Sequence, residues 1–384
     1  MKIAVPKETA DGERRVALVP DTVRKLTGSD HEVIVESGLG QGALLPDELF
    51  EEAGATIASD TGAAWDGDVV VKVQPPSEEE AGRLDSGDVL VGFLQPLTNV
   101  DGVKALASSG ATTFALEAIP RISRAQSMDA LSSQSNVGGY RAALLGAQLL
   151  GRFYPMLMTA AGTIRPAKVL VLGAGVAGLQ AIATARRLGA QTQGFDVRSA
   201  VKEQVESLGA DFLELDLGED AEGEGGYAKE LSEEQQQRQR EALAEAMQEI
   251  DVVITTALIP GRPAPLLVTE DAVRGMKPGS VVVDLGAEAG GNCELTEPGE
   301  TIVRHDVTIH APLNLPSSMP EHASQLYSRN IQSLLDLMTG EDGSLELDFD
   351  DEIISGACVT RDGEIVHEGA KKAAGQTAEA AADQ

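Results

Sequence analysis

Val169-Leu-Val-Leu-Gly-Ala-Gly-Val-Ala-Gly178 is the stretch that decides how this chain folds. Four apolar residues run straight into three glycines, and Leu179 to Leu188 continues with a helical pattern, so the stretch reads as strand, turn and helix. In that setting each glycine has its own reason. Gly173 permits a tight turn after the strand, Gly175 lets a pyrophosphate approach backbone amides, and Gly178 lets the helix lie close to the strand. Phosphates would then sit at a helix N-terminus, where unpaired N–H groups and the helix dipole favour anions. A chance cluster of glycines is the competing reading, and the strand before it and helix after it weigh against that.

Eighteen residues beyond Gly178, at the end of the next apolar segment, stands Asp196, followed by Val197 and Arg198. A carboxylate there accepts both ribose hydroxyls and repels a 2′-phosphate, which favours NAD over NADP. Arg198 would act the opposite way if it faced such a phosphate. Further on, residues 217–231 read as an acidic, glycine-rich loop that includes Gly225-Gly226-Tyr227, and Ser232-Glu-Glu-Gln235 opens a helix as a capping box. The loop is either an ordinary connection or a lid, mobile glycines carrying one large amphipathic side chain.

Outward from the fingerprint, short apolar runs alternate with helical patterns in two series. The first comprises Ile3 to Val5, Val33 to Val35, Val69 to Val73, Val89 to Phe93 and Thr112 to Ala115. The second comprises Val169 to Leu172, Thr192 to Phe195, Asp251 to Thr255, Ser280 to Asp284 and Val307 to His310. Strand and helix in alternation predict parallel sheets covered on both faces. The fold class expected is therefore α/β, with two Rossmann-like, doubly wound parallel-sheet domains and a cleft between them. A helix over 138–150 connects the two, and the amphipathic segment Glu321 to Met338 is expected to return to the first domain. The first domain is thus discontinuous, 1–136 plus 318–384, and the nucleotide domain is 137–317. The last fifteen residues read as a frayed tail.

Composition narrows the function. The chain has 384 residues, 42% of them hydrophobic, enough for two cores. Its longest apolar stretch, Ala142 to Gly162, is broken by Gln148, Arg152 and Pro155, and no signal region opens the chain, so a cytoplasmic protein is expected. Two cysteines and five scattered histidines point to neither a disulfide framework nor a metal site. A formal charge of −31 opposes binding to nucleic acid or anionic lipid, and fits either a salt-loving source or an ordinary acidic protein.

Arg121-Ile-Ser-Arg-Ala-Gln-Ser-Met-Asp-Ala-Leu-Ser-Ser-Gln-Ser-Asn136 is the other informative run. Its plain reading is a capped helix start. It also gathers Arg121, Gln126, Asp129 and Ser132, with Ser127 and Met128 between, and contains no histidine, cysteine or lysine. Such a set suits holding a polar, planar group without moving a proton near neutral pH.

With that run, the fingerprint, Pro6-Lys-Glu-Thr9, Thr159-Ala-Ala-Gly-Thr-Ile164, Asn314-Leu-Pro316 and Ala323-Ser-Gln-Leu-Tyr327 in view, the chain resembles the soluble NAD(H)-binding components of the proton-translocating nicotinamide nucleotide transhydrogenases. The alanine dehydrogenases share the plan. The resemblance implies that Arg121, Gln126 and Asp129, with Ser132 nearby, orient the nicotinamide and its carboxamide. It assigns Gly173, Ala174, Gly175, Val176 and Gly178 to the pyrophosphate, and Asp196, Val197 and Arg198 to the adenosine ribose. Gly226, Tyr227, Gln239 and Leu258 match the mobile loop and a neighbouring strand end. Where alanine dehydrogenases carry a catalytic lysine and histidine, this chain has Gln74 and Gln95, neutral amides that cannot act as acid or base; Arg15, which would grip a substrate carboxylate there, is retained. Hydride transfer between two nicotinamides needs no proton at the reacting carbons.

The resemblance also implies a homodimer, NAD(H) as the bound cofactor, NADP(H) on a separate partner component, a membrane-spanning proton-channel component, and peripheral attachment to the inner face of the membrane without insertion. With the chain stopping at Gln384, the split-subunit arrangement is expected. The alternatives are an NAD-dependent amino-acid dehydrogenase and a non-catalytic NAD(H)-sensing module.

Overall fold

A computed structural model describes residues 1–215 and 232–375, in two compact units: Met1–Gln134 with Ser317–Gln384, and Ser135–Pro316. Of the expected frayed tail, 370–384, the first residues are instead ordered in helix Glu368–Ala373, with Ala370 buried in the core, and those from 376 onward lie outside the described residues.

Among the described residues the first unit holds an eight-stranded sheet. Its order is Glu364–Ile365, Cys358–Arg361, Thr112–Ala115, Val89–Gly92, Val69–Val71, Lys2–Val5, Glu32–Glu36 and Thr56–Ala58. The first six strands of the chain are parallel and run 3-2-1-4-5-6 across the sheet, with Ile3 paired to both Val33 and Val69. That is the doubly wound order, in which helices reach both faces. Alternation along the strands fits: Ile3, Val5, Val69 and Val71 enter one buried cluster, while Ala4 and Val70 enter another on the opposite face. The sheet is not purely parallel, because Cys358–Arg361 adds antiparallel to Thr112–Ala115, and Glu364–Ile365 follows it. Helix Pro320–Leu337 belongs to this unit, and the hydroxyls of Ser324 and Ser328 accept the Val16 and Val19 amides at 3.0 Å each.

The second unit contains a seven-stranded sheet among the described residues, ordered Asp211–Phe212, Gln191–Phe195, Lys168–Leu172, Val252–Thr255, Val281–Asp284, Val307–His310 and Thr301–Arg304. Again the parallel strands run 3-2-1-4-5-6, and only the edge strand Thr301–Arg304 is antiparallel. Val169 and Val171 face one core, Leu170 and Leu172 the other. A separate antiparallel hairpin, Leu157–Thr159 with Gly162–Ile164, precedes the first strand of this sheet in the chain.

The connecting helix spans Ala130–Leu149, starting well before the expected position 138. Its start is hidden in the sequence by Ser132-Ser-Gln-Ser-Asn136, which lacks apolar periodicity, while Gly138 and Gly139 resemble a break. Gly139 is instead a packing residue: a Cβ there would lie 2.1 Å from the carbonyl oxygen of Ala177. No helix among the described residues is long and apolar enough to cross a membrane.

Candidate functional site

The expected residues divide between the two units. In the second, strand Lys168–Leu172 delivers the chain to Gly173 at φ +97, a conformation strained for any side chain. The Gly173 amide donates to the Phe195 carbonyl at 2.8 Å, and its own carbonyl accepts the Thr256 hydroxyl at 2.9 Å. A Cβ on Gly178 would lie 1.8 Å from the Gly173 oxygen, so helix and strand are in backbone contact here. A Cβ on Gly175 would meet nothing within 4 Å. The space above the second glycine is thus open, and helix Val176–Arg187 starts beneath it with no side chain capping its amides. Val176, the first helical residue, is exposed, and Ala174 is buried. A cradle of helix-start amides at the sheet's switch point, between the first and fourth strands of the unit, has the chemistry a pyrophosphate needs.

Asp196 follows the adjoining strand, but its carboxylate is already engaged. Oδ2 accepts the Ala174 amide at 2.8 Å and Arg198 Nη2 at 2.7 Å, and Oδ1 accepts Arg198 N at 3.0 Å and Nε at 2.8 Å. A carboxylate offers about four lone-pair sites, and these N–H groups fill them. For ribose hydroxyls to bond Asp196, the Arg198 fork must yield. Val197 packs partly buried against the core beside Leu172, Gln239 is buried in helix Glu233–Met247, and Leu258 is exposed after strand Val252–Thr255. Gly226 and Tyr227, with the rest of the loop 217–231, lie outside the described residues. Thr256, which no sequence motif marks, sits at the switch point and ties two strand ends together through Gly173; only its place one residue past a strand end could have pointed to it.

In the first unit, Ser123–Met128 forms a turn of 3-10 helix. Ala125 and Met128 point into the core, which leaves Arg121, Gln126 and Ser127 exposed on the other side. Asp129 caps the following helix: Oδ1 accepts the Ser132 amide at 2.8 Å and Oδ2 the Ser132 hydroxyl at 2.6 Å. The capped helix start and the polar turn are therefore one structure. Arg124 reaches back to Asp351 with two bonds of 2.5 and 2.9 Å.

Gln74 and Gln95 follow strands Val69–Val71 and Val89–Gly92, and a buried carboxylate holds each turn. Glu8 accepts the amides of Val73 at 2.6 Å and Gln74 at 3.2 Å, and the buried Lys72 ammonium stands 3.5 Å from it. Burial still raises the Glu8 carboxyl above its ordinary range, against Lys72 and the amides. Glu117 Oε1 accepts the amides of Leu94 at 2.9 Å and Gln95 at 2.5 Å, where Gln95 adopts φ +53. Its Oε2 is buried with no partner, and burial pushes the carboxyl up to about 7 despite those amides. The Gln74 side chain donates to Glu13 Oε2 at 2.7 Å. Glu13 also takes the Arg15 fork, at 2.8 Å from Nε and 2.7 Å from Nη2. Burial would raise Glu13, but Arg15 outweighs it and holds the carboxyl at about 2. Glu8 lies in the Pro6-Lys-Glu-Thr9 motif, whereas no sequence pattern marks Glu13 or Glu117; Glu8 and Glu117 stand within three residues of the C-terminal end of a parallel strand, the usual place for such groups.

Comparison with known proteins bears on the family and the fold. Two family models match, the alanine dehydrogenase/PNT N-terminal domain over residues 4–138 and the alanine dehydrogenase/PNT C-terminal domain over 142–368. The chain is 46% identical over 368 residues to the NAD(P) transhydrogenase subunit alpha of Haemophilus influenzae, covering 95% of this chain and 72% of that one. With the shorter alpha-subunit polypeptide of the NAD(P) transhydrogenase of Rhodospirillum rubrum the identity is 52% over 376 residues, covering 96% of this chain and 98% of that one. The solved transhydrogenase of Sinorhizobium meliloti is 42% identical with a TM-score of 0.83, over 96% of this chain and 99% of its own. A solved L-alanine dehydrogenase has the same fold at 27% identity, with a TM-score of 0.81 over 97% of this chain and 99% of its own.

Proposed function

The chain belongs to the alanine dehydrogenase/PNT family, and from that membership we propose that it is the NAD(H)-binding subunit of a proton-translocating, Re/Si-specific NAD(P)⁺ transhydrogenase. In this reading hydride passes between NADH and an NADP⁺ held on a partner component, and membrane subunits couple the exchange to proton movement. The observation that carries it is the pair Gln74 and Gln95, each on a turn whose amides a buried carboxylate holds. Oxidation of an amino acid needs a base as well as a hydride acceptor, and a neutral amide supplies none. Arg15 favours the amino-acid reading, yet its guanidinium is engaged by Glu13 and Gln134.

When bound, the dihydronicotinamide supplies the hydride; the protein's residues supply orientation. Gly173, Ala174, Gly175, Val176 and Gly178 would hold the pyrophosphate, Asp196 with Val197 and Arg198 the adenosine ribose, and Gln239, Leu258, Gly226 and Tyr227 would contribute further contacts to the nucleotide. Arg121, Gln126, Asp129 and Ser132, with Ser127 and the backbone of Met128, would fix the carboxamide and ring. NADP(H) belongs to the partner. The subunit would act as a homodimer on the inner membrane face, and the exposed apolar residues Met156, Met158 and Ile164 of the hairpin region suit burial by a second copy.

The test is exchange between NADH and an NADP⁺ analogue after mixing the purified chain with an NADP(H)-binding component. Rapid exchange is expected, with no NAD⁺ reduction by L-alanine, and Gln126→Asn should slow transfer far more than it weakens NADH binding. A chain inert with a competent partner, or one that oxidises alanine, refutes the assignment.

A further inference from the structure

Four hydrogen bonds join Arg15 to the exposed 3-10 turn. Arg15 Nη1 donates to Gln134 Oε1 at 2.9 Å, and Gln134 Nε2 donates to the Ser133 hydroxyl at 3.2 Å. That hydroxyl donates to Asn330 Oδ1 at 2.7 Å, and Asn330 Nδ2 donates to the Ser127 carbonyl at 2.8 Å. Arg15, Gln134 and Asn330 are 4%, 5% and 7% exposed, so solvent competes little for these bonds. The direction of the series is fixed at both ends. A guanidinium can only donate, which turns the Gln134 oxygen toward Arg15; a peptide carbonyl can only accept, which turns the Asn330 amide toward Ser127. The hydroxyl between them has one proton and two acceptors in reach, Asn330 Oδ1 at 2.7 Å and the Ala130 carbonyl at 3.0 Å, and the shorter bond is the one that continues the series. Upstream, Arg15 is itself held by the two oxygens of Glu13, and Glu13 by Gln74.

The far end of the series is the backbone between Gln126 and Met128. Helix Pro320–Leu337, which carries Asn330, is anchored elsewhere along its length: Gln134 Nε2 donates to the Ala323 carbonyl at 3.1 Å, and the Tyr327 hydroxyl to the Lys72 carbonyl at 2.7 Å. Asn330 therefore offers the turn a fixed point and not a mobile one. A chain of same-sense bonds in a low-dielectric interior polarises its members and resists reorientation.

We propose that Arg15, acting through Gln134, Ser133 and Asn330, positions the Ser123–Met128 turn, so that Arg15 is a positioning residue for Gln126 and not a ligand for a substrate carboxylate. The inference rests on the reading of that turn as the ring-orienting element, and it gives Arg15 a use in a chain that lacks an acid–base residue at Gln74 and Gln95.

The experiment uses the full chain with Asn330→Asp, Asn330→Ala, Ser133→Ala, Ser133→Thr and Arg15→Lys. Asn330→Asp keeps the shape and an acceptor for Ser133 but cannot donate to Ser127. Amide hydrogen exchange of residues 123–129 is measured without nucleotide, then NADH affinity, then hydride transfer with an NADP(H)-binding partner. Both Asn330 variants, Ser133→Ala and Arg15→Lys should exchange faster over 123–129 alone, and transfer should fall on the order of tenfold, the scale set by a displaced reacting group. NADH affinity should stay within about twofold of the parent, because ring placement adds little to ground-state binding. Ser133→Thr, which keeps the hydroxyl, should restore the parent behaviour. Unchanged exchange and transfer in Asn330→Asp overturns the proposal, as does exchange that rises throughout the unit. Failure of the parent chain to transfer hydride would instead remove the functional reading, while the exchange data still decide whether the series holds the turn.

Discussion

Two alanine substitutions in the glycine turn, at Gly175 and Gly178, should have opposite signatures. In Gly178→Ala the new Cβ would lie 1.8 Å from the Gly173 carbonyl oxygen and 2.9 Å from its carbon. An ordinary C···O contact is about 3.3 Å, so helix or strand must move by about 1.5 Å. Neither yields easily: the opposing atoms are backbone, and the Gly173 oxygen is also held by Thr256 at 2.9 Å. Overpacking of this kind costs about 1–3 kcal/mol, and contact with backbone puts it near the upper end. Gly178→Ala should therefore destabilise the second unit and, by shifting the helix start, weaken NADH as well. In Gly175→Ala the Cβ meets nothing within 4 Å, and the residue has an ordinary φ of −76 as the helix N-cap. Alanine is a poorer N-cap than glycine, so its stability should fall by about 0.5–1 kcal/mol, less than in Gly178→Ala. The methyl group would project into the space through which pyrophosphate reaches the amides, so NADH affinity should fall about tenfold or more, about 1.4 kcal/mol. Urea unfolding of the nucleotide-free proteins, followed in the transition of the second unit, and fluorescence titration with NADH separate the two effects. Parent-like stability in Gly178→Ala would refute the close helix–strand contact. Parent-like NADH affinity in Gly175→Ala would refute the cradle.

Glu117 makes stability depend on pH in a defined direction. Its carboxyl rises from an ordinary 4.5 to about 7 in the fold, so its stabilising share is complete below about 4.5 and is lost as pH climbs to about 7. Glu117→Gln keeps an oxygen for Leu94 and Gln95 and cannot ionise; it should flatten that loss in urea unfolding at about pH 5 and about pH 7.5, and an unchanged slope contradicts the assignment. The charge of −31 predicts that the melting temperature rises when salt goes from about 0.1 to about 1 M, as the screening length falls from about 10 to about 3 Å. A melting temperature that is flat or falling over that range would show that self-repulsion is not what limits stability.

What can be read in the sequence depends on the distance over which each feature is determined. The stretch from Val169 to Gly178 contains its own strand, turn and helix start, and the apolar runs of both central sheets announce themselves by composition because both faces are buried. The antiparallel additions are not legible, since Cys358–Arg361 and Glu364–Ile365 are short and the register of Cys358–Arg361 with Thr112–Ala115 is set by residues 247 positions apart, such as Thr113 and Thr360. The same rule governs the site. Asp129 and Ser132 bond across three positions and can be seen as a cap. The residues that give that cap and its turn their rigidity cannot: Asn330 reaches Ser127 over 203 positions, and Arg15 reaches Gln134 over 119. A sequence pattern names the groups that touch a ligand because they cluster in short loops at strand ends. The groups that hold those loops come from wherever the topology returns the chain, here helix Pro320–Leu337 and the segment after Lys2–Val5. Arg15 illustrates the consequence. Its retention is ambiguous as a letter in a sequence, and becomes informative only when its guanidinium is followed through three side chains to the backbone of the turn that carries Gln126.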